Sequence, residues 1–194
     1  MFKIRKTVCF DDVLLVPSFS DIQSRKEIDL SSNLDDKTAL GIPVISSPMD
    51  TVTESSMACE MDSLGGLGVI HRYNSIKDQS RMAARACSKS RNVAAAIGVS
   101  GDYLERAQAL CAVGVHVLCV DIAHGHHSMM RYALETLRNT IGHDIHIMAG
   151  NVATLDAFNS LADWGANSVR VGIGGGSICS TRIQTGHGMP TLQS

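Results

Sequence analysis

Six times along the 194 residues, a short apolar run rich in β-branched residues ends in a turn of Gly, Ser, Asn or Asp. The runs are IPVISSPMD (42–50), GLGVIHR (66–72), VAAAIGVS (93–100), VHVLCVDIAHG (115–125), HIMAGNVAT (146–154) and SVRVGIGGG (168–176). Helical stretches are expected behind the first five, over 54–64, 75–88, 102–113, 127–140 and 155–164, with Asn74-Ser75 offering an N-cap to the second. Such alternation demands parallel strands, because a parallel pair cannot be closed by a tight hairpin and needs a crossover helix.

Two α/β architectures meet that demand. A doubly wound open sheet calls for GxGxxG after its first strand, where SSPMD stands instead. A (β/α)8 TIM-type barrel gathers its chemistry at the C-terminal ends of the strands, and Ser47, Asp50, His71, Asp121, His124, Asn151 and Cys179 all fall at such ends. The barrel is the expected fold. It is incomplete, with about six of the eight units and an expected single catalytic-type domain over 1–194. The rest of the wall is expected from a longer protein or from another chain.

With 44% hydrophobic and 19% charged residues the chain can bury a core. A net charge of −2, with scattered basic residues, gives no footprint for nucleic acid or an acidic membrane, so an anionic ligand must be held locally. No apolar stretch is long enough to span a bilayer and MFKIRKTVCFDD does not read as a secretory signal, so a cytoplasmic location is expected. Six cysteines (Cys9, Cys59, Cys87, Cys111, Cys119 and Cys179) show neither CxxC nor zinc spacing and are expected as reduced thiols.

One of them stands apart. In VGIGGGSICSTR (171–182), Cys179 follows three glycines at the end of a strand. Glycines there let the backbone approach a ligand and aim its N–H or carbonyl groups inward, while a thiol on an exposed loop can become a nucleophile. By spacing alone, an inert Cys after a Gly-rich turn is the plainer reading.

The stretch VGIGGGSICSTRIQTGHGMP nevertheless resembles the catalytic cysteine loop of the IMP dehydrogenase/GMP reductase family, VGxGPGSxCxTR followed by TGxGxP. FDDVLLVPSFS (10–20), SSPMDTVTE (46–54), GGLGVIHR (65–72), DIAHGH (121–126) and GNVAT (150–154) are similar to family segments in the family's order. The resemblance implies an oxidoreductase of purine nucleotides in which Cys179 attacks C2 of the base, with Thr181 near the reacting carbon. It implies Ser47 and Met49 in the nucleotide pocket and Ser177 at the phosphate. Asp121, with Ile122 and Ala123 beside it, would contact the nicotinamide cofactor. Backbone carbonyls of Gly174, Gly176 and Cys179 would hold a monovalent cation, K+.

Departures matter too. Gly175 replaces the family's proline, which predicts a looser loop, and Ser180 replaces a threonine. DIAHGHH stands where dehydrogenases commonly have DSSHGHS, so Ile122 and Ala123 replace two serines. A strand-seven aspartate and a mobile flap match no residue here, and HRYNS lies too near VAAAIGVS for an intervening CBS-domain pair.

Other residues have plainer roles. His124, His126 and His127 lack a further metal ligand. Asp50 is expected to order its turn, Glu54 to favour a helix start, and Asp11 and Asp12 to shape an N-terminal segment packed on the barrel. Trp164 and Met148 read as core, and His71 as either structural or facing the mouth. Three functions compete: an IMP dehydrogenase using NAD, a GMP reductase using NADPH, and a silent fragment or partner subunit. The resemblance implies a homo-oligomer, a tetramer.

Overall fold

The computed structural model describes residues 6–194. A two-stranded antiparallel hairpin, β1 (Ser32–Asn33) and β2 (Ala39–Leu40), precedes a six-stranded parallel sheet. The sheet's strands are β3 (Ile45–Ser46), β4 (Leu67–Ile70), β5 (Val93–Ile97), β6 (Val117–Asp121), β7 (His146–Val152) and β8 (Ser168–Val171). They lie in chain order, so every neighbour pair is one β-helix-β crossover, and the sheet curls into an incomplete barrel. Helices α1 (Ser55–Ser63), α2 (Ile76–Cys87), α3 (Tyr103–Ala112), α4 (Ser128–Ile141) and α5 (Leu155–Asp163) fill the crossovers. They match the expected stretches to within about a residue at each end. A short sixth helix, α6 (Thr181–Thr185), follows the cysteine loop.

The strands β4 to β7 are buried on both faces, as a parallel sheet under helices requires. Alternation along each strand therefore divides the core in two. Ile97, Leu118, Val120 and Ile147 face the helices, where Ala83, Leu110, Leu134 and Leu137 meet them. Val69, Ala94, Ala96, Val117, Cys119 and Met148 face inward, and Leu40 of β2 belongs to this inner cluster. The hairpin thus plugs the N-terminal end of the half-barrel. Met148 is core as expected, while Trp164 is half-buried and packs at the rim of the outer cluster.

The plug is also tied by polar contacts. Asp35, in the hairpin turn, lies 2.6 Å from Nδ1 of His146 at the start of β7, and Nε2 of the same ring lies 2.8 Å from the Ser168 hydroxyl at the start of β8. Asp35 also accepts from the backbone N–H of Lys37 and Thr38. These hydrogen bonds and the His146 contact hold its carboxyl down to about 2 despite partial burial.

The N-terminal segment differs from expectation. Leu14, Leu15, Val16 and Phe19 are almost fully exposed, and residues 7–31 form only two short 3-10 turns. Among the described residues no helix is long and apolar enough to cross a membrane.

Candidate active site

At the C-terminal end of the sheet, three strands set one row of functional groups. Asp121 of β6 is in register with Gly150 of β7, and Gly150 with Arg170 of β8. A Cβ on Gly150 would stand 2.6 Å from the Arg170 Cβ. Because glycine has none, the Arg170 side chain lies across β7 and its Nη1 donates to Asp121 at 2.5 Å. The same nitrogen lies 3.5 Å from Cys119 Sγ, whose thiol burial pushes up to about 11. Cys119 is inert.

The turn after β3 is held by Thr53, which is fully buried and donates its hydroxyl to the Ser47 carbonyl at 2.7 Å. Ser47 faces a cavity of about 270 Å³ shared with Val69, Met148, Asn151 and Arg170. Met49 is half exposed on the same turn and lines none of the cavities described here.

The cysteine loop hangs from β8. Gly172 N–H donates to the Val152 carbonyl, Asn151 Nδ2 to the Gly172 carbonyl, and Met189 N–H to the Ile173 carbonyl. The hydroxyl and backbone N–H of Thr181 at the Cys179 sulfur, followed by the charge of Arg182 and the N–H of Gly174, lower the thiol pKa from its ordinary value. A second cavity, about 260 Å³, brings Cys179 and Thr181 together with Asp121, Ile122, Ala123 and Asn151. Asn151 joins it to the Ser47 cavity. Ala123 and Thr181 join it to a third, mostly apolar cavity of about 500 Å³ that also touches His124, Thr154 and Met189.

Most of the expected site residues therefore meet along three adjoining cavities. Ser177 is exposed, its carbonyl accepting from Arg182, and lines none of the three. The Gly174 carbonyl accepts from Arg182 at 3.1 Å and the Gly176 carbonyl from the Cys179 N–H at 3.1 Å. A guanidinium thus sits on one of the three expected carbonyls. Gly175 abuts the Thr191 hydroxyl, which fills the space a side chain would need.

Arg170 is absent from the expected site. The signal was available: an arginine inside the strand-like apolar run SVRV calls for a partner. Arg72 was missed as well; its Nη2 reaches the Asp121 carbonyl at 3.4 Å and its guanidinium lies 5.4 Å from the Tyr73 ring centre. Among the histidines, His127 accepts from the Met129 N–H and so caps α4, and His126 lies 3.2 Å from the Ser160 hydroxyl beside Trp164. His71 is buried, accepting from the Tyr73 N–H through Nδ1. Glu54 is the N-cap residue of α1 and makes no side-chain cap.

Fold and loop together define an incomplete β/α barrel domain with a thiol of lowered pKa on the loop at the C-terminal ends of its strands. The chain belongs to the IMP dehydrogenase / GMP reductase domain family, whose model matches residues 7–194. It is 34% identical to an inosine-5'-monophosphate dehydrogenase of Cryptosporidium parvum, over 97% of this chain and 57% of that protein. Proteins of the same description from Borreliella burgdorferi (30%, with 97% and 58% covered) and Nitrosopumilus maritimus (28%, with 98% and 66% covered) are also similar. The chain thus spans between a half and two thirds of the length of these relatives.

Proposed function

We propose that this chain carries the thiol and nucleotide-binding part of an IMP dehydrogenase, which converts IMP, NAD and water to XMP and NADH. The observation that carries the reading is the meeting of Cys179, its thiol pKa lowered, with Asp121, Asn151 and Thr181 in one cavity that opens toward Ser47 and Arg170. Relatives described as inosine-5'-monophosphate dehydrogenases support the substrate.

In this reading the Cys179 thiolate adds to C2 of the hypoxanthine ring, and the hydride on C2 departs. Nicotinamide, when bound, supplies the acceptor for that hydride. A thioimidate between Cys179 and the purine remains, and addition of water at C2 expels the thiol, which regains its proton as XMP leaves. Thr181 steadies the thiolate through its hydroxyl and N–H. The paired Asp121 and Arg170 offer an acceptor and a donor to ribose hydroxyls. The large apolar cavity beside Ala123 suits the flat, largely uncharged parts of a dinucleotide. Met49, on the turn beside Ser47, and Ser177, on the loop, keep their expected nucleotide roles in this reading. Cytoplasmic location, a single domain and a homotetramer belong to the same reading, and native mass spectrometry reads the last.

Intact mass spectrometry after incubation with IMP plus NAD tests it, with Cys179→Ala as control. A nucleotide adduct on the wild type alone is expected. An adduct only with GMP plus NADPH would reassign the chain to the reductase reaction. No adduct in either mixture would overturn activity for these 194 residues. It would leave a silent binding or assembly role, which melting temperature with IMP or GMP would detect.

A further inference from the structure

His187 occupies the first unspecified position of the TGxGxP segment, so the family resemblance assigns it nothing. The structure holds it firmly all the same. Gly186, with a φ of +70°, ends α6, and the His187 N–H then donates to the Thr185 hydroxyl at 3.1 Å, which itself donates to the Thr181 carbonyl at 2.7 Å. Two residues further on, the Met189 N–H donates to the Ile173 carbonyl at 2.9 Å and ties the segment back to the chain leaving β8.

The ring is fixed as well. Its Nδ1 lies 2.8 Å from the Thr185 carbonyl, which can only accept, so Nδ1 carries the proton and donates. In the neutral ring Nε2 is then a bare acceptor, and among the described residues nothing donates to it.

His187 lines the largest cavity, about 500 Å³, where Val152, Ile173 and Met189 supply apolar surface. The other polar side chains there are engaged or undecided. The Thr154 hydroxyl accepts from the Ala157 N–H, the Thr181 hydroxyl is at the Cys179 sulfur, and His126 pairs through Nε2 with the Ser160 hydroxyl. His124 meets His127 edge to face, a contact that fixes no tautomer. Of these side chains, His187 is the one whose free nitrogen is set in advance as an acceptor. A ligand that suits the cavity must therefore cover apolar surface and offer a donor at its edge. An amino group on a flat heteroaromatic ring does both, because its N–H bonds lie in the plane of the ring.

We propose that His187 is a specificity-determining residue of this cavity, a fixed acceptor that reads the in-plane amino group of a flat heteroaromatic ring. Adenine and the nicotinamide carboxamide share that chemistry. The inference rests on the reading above that the cavity takes part of a dinucleotide. A ring that presents an oxygen or a methyl group in place of the amino group leaves Nε2 unpaired or facing another acceptor.

Calorimetric titration tests it with three ligands, each in saturating IMP: NAD, its counterpart with hypoxanthine for adenine, and its counterpart with an acetyl group for the carboxamide. All titrations use a Cys179→Ala background, so no adduct forms. One of the two analogues is expected to bind about three- to tenfold more weakly than NAD, and which one it is names the ring at His187. His187→Phe keeps a flat ring without the acceptor. It should weaken NAD by a similar factor and bind NAD and that analogue alike, while His187→Gln, whose amide oxygen accepts, should keep part of the preference. Equal binding of all three ligands, a preference that survives in His187→Phe, or no binding of NAD would overturn the proposal. The thiol plays no part in these titrations, so an absent adduct on the wild type and an absent preference here remain separate results.

Discussion

The two ends of this half-barrel carry similar side chains and put them to opposite uses. At the N-terminal end, Asp35, His146 and Ser168 form a continuous chain of hydrogen bonds in which the imidazole is almost wholly buried and engaged at both nitrogens. None of the three cavities reaches it. At the C-terminal end, Cys179, Asp121, Arg170 and Asn151 border open space, and buried polar atoms of His71, Arg72 and Asn74 lack hydrogen-bond partners, with the Glu54 carboxylate 3.7 Å from His71 Nε2. The lesson is that a Ser-His-Asp sequence of contacts without room for a substrate is a fastening, whereas a lone thiol beside a cavity can do chemistry.

Cysteine replacement breaks the comparison most sharply. Cys179→Ala should abolish both the nucleotide adduct and fast alkylation at neutral pH while leaving the melting temperature nearly unchanged, since that side chain packs on no core. At the other end, His146→Ala leaves the Asp35 carboxylate without its ring partner and the Ser168 hydroxyl alone. It should cost about 2–4 kcal/mol in urea unfolding with Cys179 reactivity intact.

The same fastening predicts an acid weakness. Burial lowers the His146 pKa, with Asp35 opposing, and hydrogen bonds lower that of Asp35 to about 2. Both groups therefore take up protons more readily in the unfolded chain than in the folded one, so stability rises with pH through their range. The His146 contribution is complete above its ordinary value near 6.5 and fades as pH falls through its lowered one. The Asp35 contribution, complete above its ordinary 3.8, fades toward about 2. Thermal melts over that interval should show the decline, and His146→Ala should flatten its upper part.

Smaller effects sharpen the picture. Gly175→Ala pushes a methyl group against the Thr191 hydroxyl and should cost about 1–3 kcal/mol, largely recovered in the double variant with Thr191→Ala. Cys119→Ala, in the inner core, should cost about 1 kcal/mol and leave Cys179 alkylation unaltered.

How much of this was legible beforehand follows from the length over which each feature is encoded. The helices of nine to fourteen residues and the strands β4 to β7 announce themselves through period, caps and turn residues. Ser75 caps α2, accepting from the Asp78 N–H as its position suggested. The hairpin did not, because two-residue strands reading SN and AL carry no alternation, nor did the five-residue α6. In the site, Cys179 and Asp121 stood out by motif, yet the contact of Asp121 with Arg170 depends on the registers of three strands, which no local pattern contains. The exposed Leu14 to Phe19 run misled for a related reason: an apolar segment says that it wants cover and not where the cover lies.

The row Asp121, Gly150, Arg170 has a consequence for selectivity. Because the carboxylate and guanidinium neutralise each other, that floor presents a dipole and little net charge to whatever enters. A vicinal diol can satisfy both poles at once, donating to one and accepting from the other. A phosphate arriving there gains from the arginine and loses to the aspartate. In the reading proposed above, the pair favours hydroxylated neutral groups over a strongly anionic end.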